Sequence, residues 1–266
     1  MSAIPRIGWP EAIEHLEPIS LAELDLAAAL QTRTDRKYLV NPATWAVALA
    51  GLERAPRVLD MDGKRCFRYE STYYDTPELE SFYAAARRRP RRYKVRTRTY
   101  VESGTRAIEV KLRSRVGETV KHRDWLSPAD VQGSSGAFLP AAARMFVAQF
   151  AETEPVVGDL RETLTTFYRR TTLLTADARV TVDADVEGRD IHGGVASFSP
   201  ALIVETKSVA RAGAVDRALW AHGVRPVRVS KYCTSLAALR PDLPANRWSR
   251  TLRRHVAVPQ PALAGA

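Results

Sequence analysis

Five runs of this chain alternate polar or charged residues with apolar ones at a period of two. They are Lys94 to Arg98, Ile108 to Val116, Arg179 to Val186, Val204 to Lys207, and Val227 to Ser230. Residues two apart share one face of a strand, so Lys94, Arg96 and Arg98 point one way, and Glu109, Lys111, Arg113 and Arg115 share another face. Their alternates, Ile108, Val110, Leu112 and Val116, form the apolar face. The pattern predicts antiparallel strands with one face packed on helices.

The remaining punctuation fits strands separated by helices. Ser20 and Glu23 form a capping box that opens a helix ending near Gln31. Residues 33 to 40 read as a strand, Asn41-Pro42 opens a helix through Leu52, and 65 to 75 read as a strand before a helix from Thr76-Pro77 to about Arg89. Runs 91 to 101, 105 to 116 and 118 to 126 form a meander turning at Ser103-Gly104 and Gly117-Glu118. A helix is expected near 138 to 150, strands at 160 to 174, 179 to 187 and 199 to 208, a helix at 213 to 222, and a last strand at 225 to 230. The fold class is α+β with about eight strands. Residues 1–19 read as an N-terminal extension, 20–240 as the folded domain, and 241–266 as a loosely ordered basic, Pro-rich tail.

At 45% hydrophobic and 26% charged side chains, 266 residues make an ordinary globular composition. No stretch approaches the ~18 apolar residues of a bilayer span, and no signal-peptide core is visible, so a cytoplasmic location is expected. Cys66 and Cys233 have neither CxxC spacing nor a neighbouring His, which removes support for a disulfide framework or zinc site. There is no GxxxxGK loop and no HExxH, and the five histidines lack ligand spacing.

The formal charge is +10, and it is local: residues 87 to 123 carry 14 basic against three acidic side chains. Such an excess favours a polyanionic partner. The chain uses 33 Arg and seven Lys, so a lysine marks a place where a compact point charge is wanted rather than a planar fork. Eight antiparallel strands can close into a barrel and turn a charged face into a lumen. A cationic lumen calls for a bound polyanion, metal ions and a few acidic partners. Triphosphate or longer polyphosphate fits that description.

In order along the chain, Arg33-Thr-Asp35-Arg-Lys37-Tyr38, Arg96-Thr-Arg98-Thr-Tyr100, Glu109-Val-Lys111, Gly117-Glu118-Thr-Val-Lys121-His-Arg123, Tyr168-Arg-Arg170, Arg179, Val204-Glu205-Thr-Lys207 and Arg228-Val-Ser230-Lys231-Tyr232 resemble the VTC-type branch of the triphosphate tunnel metalloenzymes. The resemblance implies an eight-stranded antiparallel β-barrel with flanking helices. It implies a polyphosphate polymerase, in which a growing chain attacks the γ-phosphate of ATP with Mn2+ or Mg2+ required. By the same resemblance, Lys37, Arg96, Arg98, Lys111, Lys121, Arg170, Arg179 and Lys231 would hold the reacting phosphates. Tyr168, Arg123, Lys207, Arg228 and Ser230 would bind substrate. Glu205 would bind the metal, with Glu109 a further candidate ligand.

Hydrolytic and cyclase relatives carry Glu-x-Glu-x-Lys on the first strand, whereas this chain has Arg33-x-Asp35-x-Lys37. One carboxylate is left, which weakens water activation and favours transfer over hydrolysis. The alternatives are a tunnel triphosphatase acting on tripolyphosphate or nucleoside triphosphate, and a non-enzymatic polyanion-binding module using Arg87 to Arg92, with a dedicated nucleic-acid site disfavoured. The regulatory helical domain and membrane spans of the eukaryotic polymerase are missing from the sequence, so the expectation is a bare catalytic domain or one that borrows a membrane-protein partner. Tyr73-Tyr74-Asp75-Thr76-Pro77 reads as a strand end and helix cap.

Overall fold

A computed structural model describes residues 11–29, 33–131, 137–209 and 212–259. Its long strands are β1 (Arg33–Val40), β2 (Phe67–Asp75), β3 (Arg92–Tyr100), β4 (Thr105–Arg113), β5 (Thr119–Leu126), β6 (Arg161–Leu174), β7 (Ala178–Asp190) and β8 (Leu202–Val209). The helices that bear on the site are α1 (Leu21–Ala29), α2 (Pro42–Ala50), α3 (Glu80–Ala86), α4 (Ala141–Val147), α5 (Ala214–Ala221), α6 (Lys231–Leu239) and α7 (Ser249–His255). The α+β class and the eight antiparallel strands match the sequence reading. The chain forms two compact units: one holds residues up to 67, 168–186 and 198–229, the other 68–167, 187–197 and 230 onward.

In the first unit the strand order is β1-β8-β7-β6. Strand β8 is antiparallel to both neighbours, which sets Glu205 opposite Lys37 and Thr181, and Lys207 opposite Asp35 and Arg179. The other face carries Tyr38, Val180, Val182 and Val204, buried against Trp45 and Leu49 of α2 and Val215 and Leu219 of α5. Each such large aliphatic side chain contributes roughly 1.5–3 kcal/mol on burial. Helix α2 starts where Asn41-Pro42 predicts: Asn41 Oδ1 accepts the Thr44 N–H at 2.7 Å and Pro42 occupies the first turn. Helix α5 is tied down by buried Asp216, which accepts the Tyr38 hydroxyl, the Thr206 hydroxyl and the Gly213 N–H.

The second unit has the order β6-β2-β3-β4-β5, with the expected meander turning at Gly104 and Gly117, whose φ values of +67 and +87 suit glycine. The apolar face of β3 and β4, with Tyr93, Val95, Ile108 and Val110, is covered by Leu139, Ala143 and Val147 around α4. A separate cluster joins Phe82 and Ala85 of α3 to Tyr232 and Leu236 of α6 and to Trp248.

Three expectations need correction. Residues 225–230 are not a strand: Pro226 has no N–H to give a ladder, Val227 makes one backbone bond to Lys37 O at 2.7 Å, and Ser230 caps α6 by accepting the Cys233 N–H. Helix α3 begins at Glu80 rather than Thr76, because Asp75 accepts the N–H groups of Thr76, Ser81 and Phe82 across the intervening turn. The stretch from 241 does not trail as far as residue 259. Leu243, Trp248 and Thr251 are buried, and Ser197 and Ala257 exchange both backbone hydrogen bonds at 2.8 Å. The physical reason is Trp248, whose ring packs against Phe82. Residues 1–10 of the expected extension, Gln31 at the first helix end, and the last seven residues of the expected tail lie outside the described residues.

Candidate active site

In the second unit, antiparallel register converts strand parity into cross-strand rows. Arg98 lies opposite Ser71 and Ala107. One step along, Arg96 lies between Tyr73 and Glu109, and Glu109 opposite Arg123. The following row is Lys94, Lys111 and Lys121, three of the seven lysines of the chain. Directly opposed residues have Cβ atoms about 4.5–5.5 Å apart, so a row of three ammonium groups costs Coulomb energy unless anions lie across it.

One anion is built in. Glu109 is 2% exposed, and its carboxylate is held on both oxygens: Oε2 by Arg96 Nε at 2.8 Å and Nη2 at 2.5 Å, Oε1 by Lys121 Nζ at 3.2 Å and Arg98 Nη1 at 3.6 Å. Burial pushes the Glu109 carboxyl up, but the charges of Arg96, Arg98 and Lys121 and the Arg96 hydrogen bonds outweigh it and hold the group well below the usual carboxylate range. Burial lowers the Lys121 ammonium; Glu109 raises it and Arg98 and Arg96 lower it, and the net shift is downward. Both Glu109 oxygens are engaged by cations, so the buried carboxylate holds Arg96, Arg98 and Lys121 around it. It is a clamp that orients guanidinium groups.

The second support of Arg96 was invisible to sequence reasoning. Its Nη1 donates to the Tyr73 hydroxyl at 3.0 Å, and the Tyr73 ring stacks on Tyr232 with centroids 5.1 Å apart. Tyr232 in turn donates to Asp75 Oδ2 at 2.6 Å. Burial pushes the Asp75 carboxyl up, against the Tyr232 hydroxyl and the three backbone N–H donors that pull it down, and the net shift is upward. The Tyr73-to-Pro77 motif, legible only as a strand end and helix cap, thus carries one wall of the site. Helix α6 adds its start: Lys94 Nζ donates to Ser230 Oγ at 2.8 Å, and Lys231 is the first helical residue. Arg123 stands over the Trp125 ring at 4.8 Å and donates to the Tyr100 hydroxyl.

The first unit carries a face of the same kind. Lys37 and Lys207 flank Glu205, at 3.4 Å from Oε2 and 3.6 Å from Oε1, and Lys207 stands 3.9 Å from Asp35. Arg179 is opposite Lys207 and 3.5 Å from Asp25. Arg170 makes a bidentate pair with Asp183, at 2.6 and 2.9 Å, and its guanidinium lies over the Tyr168 ring at 5.4 Å. Asp183 is 1% exposed and plays for Arg170 the part that Glu109 plays for Arg96. Sequence reasoning passed over it, although its parity with Arg179 and Thr181 was visible. Arg228 is not brought onto a strand; it is exposed in the segment leading to α6.

A divalent cation fits this donor set only partly from protein. Among the described residues no three His, Cys, Asp or Glu side chains stand close enough for an all-protein centre. Glu205, loosely paired and 17% exposed, with Asp35 diagonal to it, matches the one or two carboxylates that Mg2+-type ions use when substrate phosphates complete the shell.

The family model described as the VTC domain matches residues 32–240. No curated protein matches the chain. Among solved structures, a candidate adenylate cyclase from Bacillus halodurans is similar, with a TM-score of 0.51 and 13% identity over 75% of this chain and 94% of that one. A candidate adenylyl cyclase from Hippeastrum, described as having a dominant triphosphatase activity, gives a TM-score of 0.45 and 14% identity over 81% and 100%. A candidate adenylate cyclase from Vibrio parahaemolyticus gives 0.43 and 12% over 75% and 95%. The first of these likenesses shows a shared fold and nothing finer.

Proposed function

Because this chain belongs to the VTC domain family, we propose that it transfers the γ-phosphate of ATP to the end of a growing polyphosphate chain, with a divalent cation, Mn2+ or Mg2+, held at Glu205 and Asp35. The observation that carries this reading is the set of cation rows on one sheet face of the second unit, with Arg96 clamped by buried Glu109 and tethered to Tyr73.

Phosphoryl transfer passes through a loose transition state with charge spread over the equatorial oxygens, so it needs positioning and cations more than covalent help. The forks of Arg96, Arg98 and Arg170 suit pairs of phosphate oxygens, and the ammonium groups of Lys37, Lys111, Lys121 and Lys231 suit single ones. Tethering Arg96 on Glu109 and Tyr73 and Arg170 on Asp183 lowers the reorganisation needed when charge develops. Glu205 and Asp35 would hold the cation, which would supply positive charge to offset that of the phosphates. Each charge-assisted hydrogen bond to phosphate contributes about 1.5–3 kcal/mol.

Transfer is favoured over hydrolysis because β1 offers one carboxylate, Asp35, which stands by Lys207, where two would be needed to hold metal and activate water together. Purified protein incubated with ATP and Mn2+ should give a polyphosphate ladder on a gel, lost in Arg96→Ala and Glu205→Ala. Inorganic phosphate without any chain longer than three phosphates, also lost in both variants, moves the assignment to triphosphatase.

A further inference from the structure

The arginines of the second unit divide into two classes. Arg68, Arg96, Arg98, Arg189 and Arg240 are each paired with a carboxylate. Arg87, Arg88, Arg89, Arg91 and Arg92, at the end of α3 and the start of β3, make no ion pair among the described residues, nor does Arg113. Their contacts are with neutral groups: Arg87 lies over the Tyr83 ring at 4.9 Å and Arg92 donates to Arg89 O at 2.7 Å. Glu78 and Glu80 share a shallow groove with Arg87 and Arg89 but form no ion pair with them.

Tertiary structure concentrates this charge. Arg92 is the cross-strand partner of Arg113. Arg247 is fixed beside the end of α3 by its bond to Ala85 O at 2.7 Å. Desolvation and then the neighbouring charges of Arg113 and Arg247 both act against the Arg92 charge. Folding therefore brings Arg92 and Arg113 together with no ion pair to either among the described residues, which costs stability unless an anion is supplied from outside.

The patch is also in line with the site. Arg92 and Arg113 have the parity of Lys94 and Lys111 and form the next row outward, with rows about 6.6–6.8 Å apart along a strand. From the Arg96 row, the same sheet face runs through three lysines to Arg92 and Arg113, and Arg88, Arg89 and Arg91, which lead into β3, are exposed.

Resting on the polymerase reading, we propose that this arginine apron, outside the reacting rows, holds the body of a long polyphosphate chain whose end reacts at Arg96 and Arg98, so that it governs product length rather than chemistry. The continuity of the cation rows favours a linear polyanion leading away from the site over an anionic membrane or duplex nucleic acid, neither of which requires that alignment.

The test compares wild type with a triple variant, Arg88→Gln, Arg89→Gln and Arg91→Gln, and with the same positions changed to Lys, by binding titration of long-chain polyphosphate and of tripolyphosphate without ATP. The Gln variant should bind long chains at least tenfold more weakly, with the slope of log affinity against log salt smaller by about 2, while tripolyphosphate affinity and the initial rate of ATP consumption stay within twofold. The Lys variant should retain long-chain binding, and the ladder of the Gln variant should shorten. Unchanged long-chain affinity, or an equal loss for tripolyphosphate, overturns the apron. So does duplex DNA or a phosphatidylserine vesicle binding as tightly as polyphosphate through these residues. If the Gln variant does not fold, by its far-ultraviolet spectrum, Arg88→Gln alone is titrated and should reduce the salt slope by about 0.7. Wild type that binds long chains through the apron but makes none would sink the polymerase reading and leave the apron standing.

Discussion

Arg96 and Glu109 face each other across β3 and β4, and two N–H groups of the guanidinium converge on one carboxylate oxygen, Oε2. The carboxylate is buried while Arg96 keeps 22% of its side chain exposed, so the anion is the fixed partner and the cation the presented one. Replacing Glu109 by Gln leaves the shape and removes the charge that holds Arg96, Arg98 and Lys121. Breaking a buried pair from one side costs about 3–5 kcal/mol, so chemical denaturation should show a loss of that order. Activity should fall at least tenfold under conditions where the variant is folded. A stability change below about 1 kcal/mol would show that the clamp is not held as the geometry indicates.

Tyr73→Phe keeps the ring stack on Tyr232 and deletes the hydroxyl that accepts from Arg96. Stability should drop by about 1 kcal/mol, while kcat falls severalfold with little change in KM. Tyr232→Phe should instead act on stability, by about 1–3 kcal/mol, because it removes a donor from buried Asp75. Equal effects of both variants on kcat at unchanged stability would contradict this division.

The pH profile should be asymmetric. Glu109 has a depressed pKa in the folded state, so its stabilising contribution is present above the ordinary carboxylate range and is lost only as pH falls through the depressed value; the clamp survives mild acid. Lys121 is shifted down, so folding is penalised while it is charged, and stability rises as pH increases through its folded value toward the ordinary lysine value. Its charge is lost from the site over the same window, and kcat/KM should decline below the ordinary lysine range. Lys121→Arg should move that alkaline limb upward, and a limb that stays in place assigns it to another group.

Glu205→Gln should leave the fold intact, since its pairs to Lys37 and Lys207 are long and partly exposed and such pairs contribute about 0–1 kcal/mol. The concentration of Mn2+ giving half-maximal activity should rise about tenfold or more, equivalent to about 1.4 kcal/mol of binding. An unchanged metal requirement would place the ion elsewhere.

Much of this arrangement is legible in the sequence because strand parity is local. Alternation at period two is enough to put Lys94, Arg96 and Arg98 on one face, and the same rule groups Glu109 with Lys111 and Glu205 with Lys207. It fails at 225–230, where Val227 and Val229 alternate with Arg228 and Ser230 as in a strand, yet Pro226 and the capping hydroxyl of Ser230 make the segment a lead into α6.

Residue order along the chain determined the strands, their turns and which side chains share a face, because backbone geometry repeats over two residues whatever lies across from it. Tertiary structure decided which cations are neutralised and which are left bare. Glu109 meets Arg96 through register between strands, Asp183 meets Arg170 across 13 residues, and Asp75 meets Tyr232 across 157. Arg88, Arg89 and Arg91 make no ion pair among the described residues. Charge neutralisation falls off within a few ångströms, so it depends on pairings between distant segments that no local periodicity encodes.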